Sequence, residues 1–266
     1  MTEKQMRRPQ PRDLDRRRVA QLLSQTRYER SAGRGIDAVS RHFVGSAYKS
    51  NPLVGSAETS EVFTASLAGF DCVTYVETVL ALARASSIDE FVNWLRHIRY
   101  EHGLIQWERR NHYMTQWIRN NIRNRIVRPV LLPAVPEVIR ERTLNVVSGL
   151  AAQQTRLRCV PKQALPRLEP HLQNGDLIFF VSTRRNLDVF HVGIIVRDDR
   201  TLRIRHASRS RGMVIEQLLS DFLEANRMTG VIVVRPQAAT RTSRSVNKMT
   251  RLPASHGSGG ERQIGM

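Results

Sequence analysis

Two cysteines and eight histidines are the side chains of this 266-residue chain best suited to nucleophilic or base chemistry. Cys72 follows Asp71 where the loop ending in Gly69-Phe70 turns into a helical pattern. Asp is a good N-cap type, so Cys72 falls in the first helical turn. The helix dipole and the unpaired N–H groups there favour an anion, which raises the thiolate fraction, and the same groups can hold the oxyanion of an acyl intermediate. A free cysteine also serves commonly as a small buried hydrophobe, and taken alone Cys72 fits that role too.

A catalytic thiol needs a base, and His191 is the best placed because it interrupts the apolar run VFHVGIIV, residues 189–196. Alternation puts Val189, His191, Gly193 and Ile195 on one side of a strand. If the loop through Asp198-Asp199-Arg200 holds an even number of residues, the next strand places Leu202, Ile204 and His206 on that same side. Arg203 and Arg205 then face outward, and His206 stands beside His191 to orient its imidazole, the task of the third member of a triad. An odd loop would put Ala207 there instead. His42, His97, His102, His171 and His256 read as core, rim or tail residues. No Cys-x-x-Cys or His-Glu-x-x-His occurs, and His102 and His112 lack helical spacing, so no metal site is expected. Cys159 reads as an incidental thiol in the loop-like stretch TRLRCVPKQ.

These side chains need a helix and a sheet to hold them. Apolar spacing predicts helices from Asp13, from Ser31 to His42, over 72–85 and over 88–100. The period then changes: 177–181 (LIFFV), 189–196, 202–206 and 231–234 read as strands of a small antiparallel sheet, interrupted by a helix at about 216–225. Helices first and strands later give an α+β domain. Arg110-Asn111-His112-Tyr113, with Trp107 and Trp117, reads either as a cleft wall that stacks on a sugar and pairs with a carboxylate or as buried structure. Asp188 reads as a turn residue in preference to a group that positions a substrate amine.

Forty-two Lys and Arg against twenty-four Asp and Glu leave +18, which predicts attraction to something anionic without naming it. Residues 1–12 and 237–266 read as disordered basic tails able to meet an anionic surface, and 13–236 as one domain with a helical N-terminal part over 13–50. The N-terminus has no apolar core of a secretory signal, and no apolar run is long enough to span a membrane, so cytoplasmic residence is the default expectation, with export by a non-standard route as the other course. A nucleic-acid-binding module on an inactive scaffold ranks below an enzyme, because no nucleic-acid motif accompanies the charge.

Taken in order, GFDCVTYVETVLALA, RNHYMTQWIRNN, NGDLIFF, LDVFHVGIIV and HASRSRGMVIE resemble the N-acetylmuramoyl-L-alanine amidase-like family, a branch of the NlpC-type, papain-like cysteine hydrolases. The likeness runs from about Arg41 to Pro236. It implies Cys72 as nucleophile, His191 as base and His206 as orienting residue. It implies a nucleophile helix packed on a small antiparallel sheet, with additional N-terminal helices. Asp71, Arg110, His112, Tyr113, Asp188 and Ser208 are the candidate substrate-binding residues. The implied substrate is an amide in peptidoglycan or its fragments, between the sugar lactyl group and L-alanine or within the stem peptide, and no cofactor is called for. The same residues would equally serve a cysteine acyltransferase.

Overall fold

In the computed structural model residues 10–26, 31–198 and 201–238 are described. The expected tails fall outside these residues apart from their inner ends, which are docked. Arg12 N–H donates to Phe63 O at 2.8 Å, and Gln237 N–H to Ile126 O at 2.9 Å.

Five helices lead: α1 (Arg16–Thr26), α2 (Ala32–Arg41), α3 (Cys72–Arg84), α4 (Ile88–Arg99) and α5 (Met114–Arg123). Their starts lie where capping chemistry puts them. Ser31 and Ser87 accept N–H bonds from Arg34 and Glu90. At α3 the box is reciprocal: Asp71 Oδ1 accepts Thr74 N–H at 2.7 Å while Thr74 Oγ1 accepts Asp71 N–H at 3.1 Å. Helix α4 also carries Asp89 and Glu90 in its first turn and Arg96, His97 and Arg99 in its last, matching the dipole.

The second half forms an eight-stranded, wholly antiparallel sheet: β1 (Val127–Pro129), β2 (Val138–Leu144), β3 (Gln153–Pro161), β4 (Leu177–Val181), β5 (Val189–Arg197), β6 (Leu202–Ser208), β7 (Met213–Leu218) and β8 (Gly230–Pro236). The order is β2-β3-β8-β4-β5-β6-β7, with β1 added on β8. The sheet is twice the size that four apolar runs suggest. Strands β2 and β3 carry little apolar signal because their sequences, VIRERTL and QQTRLRCVP, intersperse charged and polar residues, and half of their positions are exposed. Cys159 therefore lies in a strand and not a loop, buried with Leu157 and Val181. Strand β7 occupies residues expected to begin a helix, and the helix α7 (Leu219–Ala225) starts only after it.

Both faces of the sheet are covered. Phe179, Val192, Ile194, Ala207 and Val214 pack with α1 to α5 in one core. Phe180, Ile195, Ile204 and Val231 pack with α7 and the short α6 (Leu165–Leu168) in another. Two covered faces explain why β4 is buried throughout. They also overturn the expectation that Arg205 points to solvent. It faces the helical layer, 1% exposed, where its guanidinium meets Asp37 and Ser40 of α2 and Glu216 of β7. One buried cation thus ties α2 to the sheet. Among the described residues no helix is long and apolar enough to cross a membrane.

Helix α3 sits at the centre, buried from Thr74 to Leu82. One charge is buried with it. Glu77 accepts from Arg99 Nε at 2.7 Å and from Trp117 Nε1 at 3.2 Å, and Arg99 donates onward to Thr64 O. Three helices and the 63–66 segment meet on this pair. Removing one partner strands the other in a dry site, at a cost of roughly 3–5 kcal/mol. Arg99→Met is therefore expected to lose about that much stability in urea unfolding, and Glu77→Leu/Arg99→Met to recover a large part of it; equal losses would refute the pairing account.

Candidate active site

The N-terminus of α3 is fixed by a strap, residues 45–49, laid along the edge of β7. Gly45 N–H donates to Val214 O and Val214 N–H to Ser46 O, both at 2.8 Å. The strap then turns to the residues that lead into α3: Phe70 N–H donates to Ala47 O at 3.0 Å, and Lys49 N–H to Phe70 O at 2.9 Å. Asp71 and Cys72 are thereby held against the sheet.

The register of β5 and β6 is the even-loop one. Ile195 faces Ile204 and Val196 faces Arg203, so His191 and His206 share a side. Their rings meet at 2.7 Å, His191 Nε2 to His206 Nδ1, nearly perpendicular. His191 also stacks on Phe222 of α7 at 5.3 Å between centroids. Gly193 makes room for this. A Cβ there would come within 2.6 Å of the Ile204 side chain and 3.2 Å of the His206 Cβ.

Cys72, half-buried, approaches from the helical face. Its sulfur faces the backbone N–H groups of Val192, Cys72 and Val73, which pull its pKa down. They are outweighed: burial, reinforced by the Asp71 carboxylate, pushes the thiol up to about 12. The expectation of a lowered thiol pKa at the helix start is thus reversed by desolvation. Among the described residues no hydrogen bond joins Cys72 to either imidazole. The thiol faces the N–H of Val192, while alternation turns the ring of His191, one residue earlier, to the other side of the sheet.

The histidines are electrically muted as well. Burial and then His206 push His191 down to about 3, and burial pushes His206 down to about 4. With His191 Nε2 engaged, its remaining nitrogen is Nδ1, the one nearer its own main chain. His206 Nε2 is buried with no partner. Thiol and imidazoles are thus all held neutral near pH 7.

The other candidates are placed unevenly. Asp71 is at the thiol. Ser208 closes the β6–β7 turn, its Oγ 3.2 Å from Ser210 Oγ. Asp188 is neither an exposed turn residue nor open to an amine: one oxygen accepts Thr115 N–H at 2.7 Å and Thr115 Oγ1 at 2.8 Å, capping α5, and the other accepts Val189 N–H. Arg110 is turned onto Glu61 and Gly55 O, His112 onto Trp107 O at 2.7 Å, and Tyr113 is buried with its hydroxyl accepting Val147 N–H. Buried structure is therefore the observed state of that wall. Tyr48 and Arg209 went unnoticed in the sequence. Tyr48 is raised by burial first and then by the charges of Cys72 and Asp71, with Arg209 opposing, which puts Tyr48 near the thiol and Arg209 near Tyr48. No motif signals them, because the strap carrying Tyr48 lies in a loop. Gly33 is small because the backbone of Asn174 and Gly175 presses on it. Among the described residues no cluster of three or more His, Cys, Asp or Glu is suited to a metal ion.

A family model described as AmiA-like, N-acetylmuramoyl-L-alanine amidase-like, matches residues 38–231. No curated protein matches the chain. Among solved structures, protein LPG0564 from Legionella pneumophila superposes with a TM-score of 0.72 at 19% identity, covering 84% of this chain and 96% of that one. An N-acetylmuramoyl-L-alanine amidase from Bacteroides uniformis gives 0.69 at 26% identity, with 77% and 99% covered. A putative xylanase from Bacteroides fragilis gives 0.65 at 27%, with 74% and 98% covered. The first likeness speaks to fold alone.

Two measurements follow from the muted charges. Iodoacetamide should label Cys72 slowly at pH 7, the rate climbing through pH 9 without a neutral plateau, and Asp71→Asn should speed it; a plateau near pH 7 would contradict the raised thiol. The imidazoles set an acid limit. Because their folded values lie below 6.5, the unfolded chain binds more protons on acidification, so their contribution is full above 6.5 and lost as pH falls toward 4 and 3. His191→Gln/His206→Gln should flatten the fall of Tm over that window relative to the parent.

Proposed function

The chain belongs to the AmiA-like family, described as N-acetylmuramoyl-L-alanine amidase-like, and from that premise we propose that it is a cysteine hydrolase of the papain-like, NlpC type. Its substrate is an amide of peptidoglycan or its fragments, at the N-acetylmuramoyl-L-alanine bond or within the stem peptide. The observation that carries the reading is the seat of Cys72: first residue of a capped helix, sulfur facing three backbone N–H groups, one peptide along β5 from the linked His191–His206 pair.

In this mechanism the thiol stays protonated until substrate arrives. As Cys72 Sγ attacks the amide carbon, its proton passes to His191 Nδ1, and the N–H groups around the sulfur receive the developing oxyanion. His206 accepts the proton on His191 Nε2, which fixes the tautomer that leaves Nδ1 free as base. Breakage of the C–N bond delivers the proton to the departing amine. Water, deprotonated by the same imidazole, then attacks the thioester and returns the thiol. In the empty enzyme the ring of His191 stands across β5 from the thiol, so this transfer requires the ring to be brought round to the thiol when substrate binds. Asp71, Ser208, Tyr48 and Arg209 border the substrate. Arg110, His112, Tyr113 and Asp188 act one layer back by holding the wall and the start of α5.

Mass spectrometry of defined muropeptides incubated with parent and Cys72→Ala protein tests this directly. Cleavage by the parent alone is expected, the fragment masses giving the bond, and retained cleavage in Cys72→Ala would overturn the cysteine mechanism. Loss of the base typically costs about 10²–10⁴ in rate, so His191→Ala should lower kcat by that order with a smaller effect on KM.

A further inference from the structure

The formal +18 is not spread evenly. One open recess of roughly 510 Å³ is bordered by Ile139, Arg140, Glu141, Arg142, Arg156 and Arg185. Four arginines against one glutamate leave +3 there. It lies along β2, the last strand of the sheet order, and is faced by Arg185 from the loop between β4 and β5. Arg156 is partly answered by Glu141 at 3.4 Å. Arg142 is anchored, donating to Ser182 O at 3.3 Å and to Glu141 O at 3.0 Å, yet its Nε is buried without a partner. The guanidinium groups of Arg140 and Arg185 form no ion pair or hydrogen bond with any described residue.

We propose that this recess binds a diphosphate group. Guanidinium forks match phosphate oxygens two at a time. In a solvent-open site a single exposed ion pair gains little, so a monovalent carboxylate leaves most of the local charge unanswered. A ligand with several negative charges on adjacent oxygens engages Arg140, Arg142 and Arg185 together and offsets the +3. The anchor at Arg142 reduces the side-chain freedom that binding must freeze. The proposal goes beyond the amidase reading and does not rest on it, because neither Cys72 nor a histidine borders the recess.

The test uses the full-length chain, with the Cys72→Ala protein in parallel, and inorganic pyrophosphate as probe in calorimetric titration at about 0.15 M salt. Arg140→Gln/Arg185→Gln removes two exposed, unpaired guanidinium groups, and Arg167→Gln/Arg227→Gln removes the same charge from exposed positions elsewhere. Saturable one-to-one binding is expected, unchanged in Cys72→Ala, weakened at least tenfold in the recess variant and less than twofold in the control. Equal weakening in both variants would mean diffuse attraction to a basic protein and would overturn the site. Succinate binding as well as pyrophosphate at matched ionic strength would overturn the ligand class. Arginines that serve only to keep an edge strand from pairing would give no saturable binding, which would also overturn it.

Discussion

The burial of α3 on every side constrains the rest of the molecule. A helix surrounded by protein cannot turn to water for its unpaired N–H groups, so its start must be satisfied from within. The Asp71–Thr74 box does this for two donors, and the N–H groups of Cys72 and Val73 are left facing the sulfur. Placing that helix end against β5 fixes where a nucleophile can stand. The strap from Gly45 to Lys49 sets its height, hydrogen-bonded to β7 on one side and to Phe70 on the other.

The same burial decides the electrostatics. A dipole end and three N–H groups would ordinarily draw out a thiolate, but desolvation and the Asp71 carboxylate prevail at Cys72, and desolvation likewise keeps both imidazoles neutral. Thiol and imidazoles are therefore uncharged in a chain that is strongly cationic as a whole. Several buried charges are matched by opposite ones: Glu77 by Arg99, Asp176 by Arg235 at 2.7 Å, Arg205 by Asp37 and Glu216. Two of these pairs, Arg205–Asp37 and Asp176–Arg235, join residues 168 and 59 positions apart, so charges that cannot reach water help specify which element packs on which.

Errors of sequence reading share one origin. Arg205 was expected outside because alternation alone cannot tell a solvent face from a second covered face. Strands β2 and β3 escape apolar periodicity because charged and polar residues break up their few buried positions. Asp188 was expected to be a turn residue because its partner, Thr115, is 73 residues away. Trp107 and Tyr113 offered two readings, and only the packing of the 145–150 segment over them selected burial, through Val147 N–H and the close approach of Gly149 to Trp107.

What the sequence by itself determined was local: the starts of α2, α3 and α4 at capping residues, the short apolar runs of β4, β5 and β8, the alternation of β6, and the coincidence of His191 and His206 on one side once the loop is even. Those follow from hydrogen-bonding groups and side-chain periods within a few residues of one another. Only the tertiary structure decided which face of β5 meets the thiol, that a loop tyrosine stands near it, and that the sulfur is held protonated. Such outcomes depend on desolvation and on charges brought together from distant segments, and neither is written in any single stretch of chain.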